Sequence, residues 1–166
     1  MKSRSINRMV SHTAAIFAFI ALATGGQPVQ AQGKAQDSPT KVAQEMVQAW
    51  NELNVDKIVD TFAEDGVLHS VMVAPIKGRK ALRDHLGPFL QGATRLELKL
   101  RNVAVVGNTV FLERVDDFDY KGRHGAVPVV GVLDIKNGKV QEWREYYDRA
   151  SLLKEMGLDT PQPEKH

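Results

Sequence analysis

The chain has 166 residues, 43% hydrophobic and 25% charged, with no cysteine; that suits one domain with its own core and excludes disulfides and thiol chemistry. Its 22 Lys+Arg and 20 Asp+Glu give +2, but Lys2, Arg4 and Arg8 precede Ala31, so the rest carries 22 less 3, or 19, against 20, a formal −1. The remaining basic residues are dispersed, so no field draws the chain to nucleic acid and no nucleic-acid partner is expected.

The positive start is followed by an unbroken apolar run from Ala14 to Ala23, a Gly25-Gly26 break and small-residue positions at Val29-Gln30-Ala31. This is the pattern of a secretory signal peptide over residues 1–31, and the run is too short to span a bilayer. The expectation is export to the periplasm or beyond, with cleavage near Ala31 and no stable membrane insertion once the leader is gone. An uncleaved N-terminal anchor is the alternative. Residues 32–38 read as a polar linker, 39–157 as the domain and 158–166 as a polar tail.

Ser38-Pro39 reads as an N-cap and first helical position. Val42, Met46, Trp50 and Leu53 then recur at helical spacing, so a helix to about Leu53 is expected to bury that stripe. A second short helix carries Ile58, Val59 and Phe62, and Asp65-Gly66 closes it. Gly66 to Val73 reads as a strand stopped by Pro75. From Gly78 a third helix places Ala81, Leu82, His85, Leu86 and Phe89 on one face.

Leu96, Leu98 and Leu100 alternate with charged residues, the mark of a strand with one wet face, which runs on to the Gly107-Asn108 turn. The next strand, Val110–Tyr120, turns at Lys121-Gly122-Arg123. Ala126–Ile135 is almost continuously apolar, as in a strand covered on both faces. Asn137-Gly138 is a strong hairpin signal, followed by a last strand, Lys139–Asp148, and a short helix over Ser151–Met156. Helices followed by a meander of strands indicate an α+β domain. The expected architecture is a curved, mostly antiparallel sheet wrapped on N-terminal helices, forming a cone with an interior pocket.

Three positions break the binary pattern. Val110, Leu112, Arg114, Asp116 and Phe118 share a strand face, so Arg114 and Asp116 interrupt an apolar side, where charge is expensive unless paired. In the last strand Gln141, Trp143, Glu145 and Tyr147 share a face, with Val140, Glu142 and Arg144 opposite. If that face lines the cavity, Glu145 is desolvated and Arg114 balances it. Two carboxylates with an arginine between them can divide acid and base roles on one substrate, without metal or cofactor. The alternatives are an exposed Arg114–Asp116 pair at the rim and a last strand whose Trp143, Glu145 and Tyr147 face solvent. His69, His85 and His124 lack metal-ligand spacing, so no metal is expected. His69 is placed to reach the cavity, Ser70 on the opposite side of a regular strand, and His85 in the core or at the rim.

The segments Phe62-Ala-Glu-Asp-Gly66, Ala74-Pro75 with Gly78-Arg79, Glu113-Arg-Val-Asp116, Pro128-Val-Val-Gly-Val132 and Trp143-Arg-Glu-Tyr-Tyr-Asp148 resemble the limonene-1,2-epoxide hydrolase family. That family lies within the nuclear-transport-factor-2-like (SnoaL-like, cystatin-like) cone fold, and the resemblance covers about Thr40 to Asp148. It implies a one-step epoxide opening by an Asp-Arg-Asp triad, without a covalent intermediate. Asp116 falls on the acid, Arg114 on the bridging cation and Glu145 on the place of the base Asp. The family's water-holding Tyr and Asn fall on Leu68 and Ser70, so Ser70, His69 or Tyr147 would have to hold the water. The implied ligand is a small apolar epoxide or terpenoid, and a homodimer is expected. The other readings are an isomerase or cyclase on the same cone, and a non-catalytic protein binding an apolar molecule between its Leu, Trp and Tyr walls.

Overall fold

Helix α1 (Pro39–Asn51) starts where the Ser38 hydroxyl accepts the Lys41 N–H at 3.3 Å, one of the donors a first helical turn leaves unpaired. The computed structural model describes residues 38–159; the expected leader, nearly all of the linker and the end of the tail lie outside the described residues. Val42, Ala43, Met46, Val47 and Ala49 of α1 are buried. Asn54 caps α2 (Val55–Thr61) by accepting the Lys57 N–H at 3.0 Å, and Ile58 and Val59 turn inward. In α3 (Arg79–Gln91) the buried residues are Leu82, Leu86 and Leu90. Ala81 and His85, expected on that face, are exposed.

The helices pack on one face of a six-stranded sheet ordered β2-β1-β6-β5-β4-β3. The strands are β1 (Phe62–Ser70), β2 (Ile76–Lys77), β3 (Ala93–Val106), β4 (Thr109–Tyr120), β5 (Arg123–Lys136) and β6 (Lys139–Tyr147). Every pairing is antiparallel except β1 with β6. A last helix, α4 (Arg149–Met156), follows. The α+β fold expected from the order of elements is the fold observed.

Several local expectations need correction. Phe62 opens β1 instead of ending α2, and is fully buried. Asp65-Gly66 does not close a helix. It lies in an irregularity where β1 advances from Phe62 to Val67 while β6 advances only from Val140 to Glu142. A Cβ on Gly66 would come within 3.0 Å of the carbonyls of Ala63 and Val140, so the bend needs a residue without one. The strand ends at Ser70, not Val73, and β2 is too short to leave a periodic signature.

β3 is an edge strand: Leu98 is buried, but Lys99 to Val106 are all exposed, Leu100 included. β5 is not covered on both faces, since Ala126, Pro128 and Val130 are exposed while Val127, Val129 and Gly131 are buried. The reason is that the helices occupy one side of the sheet. In β6 the register steps from Val140↔Ile135 to Glu142↔Asp134, which makes Gln141 an extra residue. Val140 therefore joins Trp143 in the core, at 0% and 1% exposure, instead of facing away from it.

Candidate active site

Alternation along β4 brings Val110, Leu112, Arg114 and Phe118 inward as buried residues, with Asp116 half-buried among them. β6 places Trp143 and Glu145 on the same concave side, both buried. Arg114 joins the two carboxylates. Its Nε donates to Asp116 Oδ1 at 2.7 Å, and its Nη2 to Asp116 Oδ2 at 3.1 Å and to Glu145 Oε2 at 2.6 Å. The guanidinium carbon lies 5.4 Å from the Trp143 ring centre, within cation–π range. Asp116, with 21% of its side chain exposed against 10% for Glu145, is the more open of the two acids.

Gly131 makes this reach possible. Across the sheet its partners are Leu112 on β4 and Glu145 on β6, and Glu145 in turn partners Ser70 on β1. A Cβ at Gly131 would stand 2.5 Å from Arg114 Nη1, 2.8 Å from Trp143 Nε1 and 3.1 Å from Glu145 Oε1. The missing side chain is the space through which the guanidinium crosses from β4 to Glu145. Those three atoms are buried without a hydrogen-bond partner among the described residues. No site role was expected of Gly131; its signals are a glycine interrupting an apolar run and its place in the Pro128-Val-Val-Gly-Val132 segment. Gly131→Ala is expected to overpack the floor and cost about 1–3 kcal/mol. Urea unfolding checks this: a wild-type midpoint would show that the guanidinium does not need the gap.

Burial pushes the Glu145 carboxyl up to about 7 against the opposing pull of Arg114, and repulsion from Asp116 adds to it. Burial also raises Asp116, again against the Arg114 charge and its hydrogen bonds. Burial works against the Arg114 charge, but the two carboxylates outweigh it and hold the guanidinium protonated. One cation between two acids is neutral when a single proton sits on the acids, the state a desolvated cluster favours.

The remaining candidates divide between two faces. Leu68 and Ser70 line the cavity together with Trp143, Glu145 and Tyr147, because the parallel register pairs Leu68 with Trp143 and Ser70 with Glu145. His69 is turned to the other face, its Nδ1 3.8 Å from Glu142. This reverses the expected orientations of His69 and Ser70, and the irregularity before Val67 is the cause. The Tyr147 hydroxyl donates to Ser70 Oγ at 3.1 Å, leaving the serine hydrogen free for another acceptor. Trp50 from α1 meets Trp143 edge to face, 5.8 Å between ring centres. His85 is exposed at the cavity rim, and His124, exposed at the start of β5, lies against Asp119 at 3.0 Å. Among the described residues no three acidic, His or Cys side chains group as metal ligands.

The cavity has a volume of about 190 Å³ and a mostly aliphatic and aromatic wall. It can hold a small apolar molecule with one polar group against the triad, where an acid, a base and a fixed cation stand within a few ångströms of one another.

A family model described as a SnoaL-like domain matches residues 43–143. Among solved structures, a LEH-like epoxide hydrolase of M. tuberculosis superposes with TM-score 0.62 at 22% identity, covering 71% of this chain and 88% of its own. A hypothetical protein of Catenulispora acidiphila with a ketosteroid isomerase-like fold, in complex with trimethylamine, gives 0.65 at 21% identity, covering 74% and 96%. A putative SnoaL-like polyketide cyclase from Shewanella denitrificans gives 0.66 at 13% identity, covering 73% and 98%. At these identities the likeness concerns the fold.

Proposed function

The chain belongs to the SnoaL-like domain family, and from that premise we propose that it is an epoxide hydrolase, adding water to a small apolar epoxide to give a vicinal diol. The observation that carries this reading is Arg114 holding both Asp116 and Glu145 at 2.6–3.1 Å in an otherwise apolar cavity. A cavity that only bound an apolar molecule would gain nothing from two buried charges and a third half-buried beside them.

In the proposed reaction Glu145 accepts a proton from water as the water oxygen bonds to a ring carbon. The carbon–oxygen bond of the ring breaks, and Asp116 gives its proton to the departing oxygen. Arg114 keeps the two acids sharing one proton, and the triad resets when the proton gained by Glu145 replaces the one Asp116 gave. The Ser70 hydroxyl, oriented by Tyr147, is the group on β1 suited to hold the water beside Glu145.

This sets a pH dependence. Push and pull need the pair's one proton on Asp116 and an ionised Glu145. Burial of Glu145 favours the opposite placement, so the working form is the minor arrangement of the singly protonated pair, whose two ionisations belong to the triad as a whole. The last proton leaves near the value to which Glu145 is raised, about 7. Diol formation is therefore expected to fall as pH rises past about 7, with a second limb on the acid side as both acids become protonated. A rate that climbed steadily above pH 7 would mean that the working form is the doubly ionised pair.

The test of the reading is turnover of terpene, styrene and cyclohexene oxides by the purified protein, followed as diol, beside Asp116→Asn and Glu145→Gln. Turnover that survives both substitutions, or no diol from any of these epoxides or from straight-chain 1,2-epoxyalkanes, would overturn it. Leu68, buried where a polar side chain would help to hold water, favours a second reading as a non-catalytic binder. That reading predicts saturable binding with no product. Export is proposed on the leader pattern alone. A homodimer is proposed on the exposed Phe111, Val130 and Tyr146 of the outer sheet face.

A further inference from the structure

The cavity continues beyond its charged end. Past Asp116 the next inward residues of β4 are Phe118 and Tyr120, both buried. With Val127, Val129 and Met156 they form a second cluster of buried apolar side chains, separate from the core beneath the helices. Every member of that cluster lines the same cavity as the triad. A cluster whose members all border one void is a wall, not a filled core. Four residues of strand from Asp116 to Tyr120 span about 13 Å.

Helix α4 closes this end, and its position is set by local chemistry. Asp148 caps it, accepting from the N–H groups of Ala150 at 2.9 Å and Ser151 at 3.2 Å. Gly157, at φ 67°, ends it, with the Leu158 N–H returning to the Leu153 carbonyl at 2.7 Å. Underneath, a Cβ on Gly125 of β5 would fall 2.7 Å from the Phe118 ring and 2.8 Å from Glu155 Cβ. Without it, α4 lies directly on β5. Leu152 and Met156, one turn apart on the same helical face, are thereby brought to the cavity wall. Opposite, Phe89 stacks on Tyr120 with ring centres 5.7 Å apart.

The wall has reach but encloses little volume. Its 190 Å³ or so falls below the roughly 300 Å³ at which pockets for drug-sized molecules begin. Together these suit a chain better than a fused ring system.

We propose that this end is a tail-binding chamber: the ligand is an elongated aliphatic molecule with its oxygen-bearing end at Arg114, Asp116 and Glu145, and Leu152 and Met156 set the longest tail admitted. That the oxygen-bearing end is an epoxide rests on the hydrolase reading; the limit on tail length does not.

The only two tryptophans, Trp50 and Trp143, border the cavity, so their fluorescence reports occupancy. Titration with straight-chain 1-alkanols from butanol to dodecanol is expected to show affinity rising about tenfold or more with each added pair of methylenes and then levelling at a definite length. Met156→Ala should move that break to longer alcohols, and Leu152→Phe, at a half-buried position, to shorter ones. Should Met156→Ala fail to fold, Leu152→Phe alone decides. A break at the same length in every folded variant, or tighter binding of a fused bicyclic alcohol of equal carbon count, overturns the chamber. The same proteins are assayed with 1,2-epoxyalkanes. A break that moves without any diol being formed leaves the chamber standing and removes the hydrolase reading. Diol formed at rates indifferent to tail length and to both substitutions removes the chamber and keeps the hydrolase.

Discussion

Arg114→Leu is expected to destabilise the domain by about 3–5 kcal/mol, the usual cost of leaving buried charge without its partner, and to abolish diol formation. In the native site Arg114 is 3% exposed, and its guanidinium makes three hydrogen bonds to two carboxylates. Leucine would leave Asp116 and Glu145 facing each other across an apolar hollow, where they can persist only by taking up protons. The variant should therefore recover part of its stability on acidification. The same leucine combined with Asp116→Asn and Glu145→Gln should recover most of it at neutral pH, since no charge then remains to be desolvated. Arg114→Lys keeps the charge but loses the planar fork that serves both acids, and should retain more stability than activity. Urea unfolding of the four proteins decides the matter. A leucine variant with the wild-type midpoint would show that the triad is not a desolvated unit.

What the sequence disclosed about this site follows from the regularity of β4 and β6. Strand side chains alternate strictly, so position alone sets Arg114 and Asp116 on the face of Val110, Leu112 and Phe118. Asn137-Gly138 and Gly107-Asn108 fixed the hairpins because both turns need a positive φ, which Asn137, Gly138 and Gly107 adopt. Alternation fails where a strand gains a residue. The extra Gln141 reverses Val140, and the irregular stretch between Phe62 and Val67 decides which of His69 and Ser70 sees the cavity. Such steps have no periodic signature, and a slip of one residue exchanges the two faces.

Burial is the other quantity that pattern alone misjudges. Ala126–Ile135 looks like a doubly covered strand, yet among the described residues one layer of helices covers it, so Pro128 and Val130 remain exposed. Gly131 is opaque for a related reason. Its importance lies in what Arg114, Trp143 and Glu145 do in the space it leaves, and that is a relation among three strands.

Glu145→Gln separates what the carboxylate contributes to folding from what it contributes to chemistry. Glutamine keeps the shape and an acceptor for Arg114 Nη2, but cannot take a proton from water. Loss of a general base typically costs 10²–10⁴-fold, and diol formation is expected to fall by about that factor. Stability should change in the opposite sense. Glu145 is raised from an ordinary 4.5 to about 7 in the fold, so the folded state binds the proton more tightly than the unfolded chain does. Its contribution is fully present below about pH 4.5 and is lost as pH rises through about 7, an effect on the order of 3 kcal/mol. Glutamine is neutral throughout. Its unfolding free energy should show a correspondingly smaller fall across that window, and at pH 8 the variant should be the more stable protein and the less active one. Parallel pH–stability slopes for the two proteins would mean that Glu145 is solvated in the folded state, and the base role would fall with its burial.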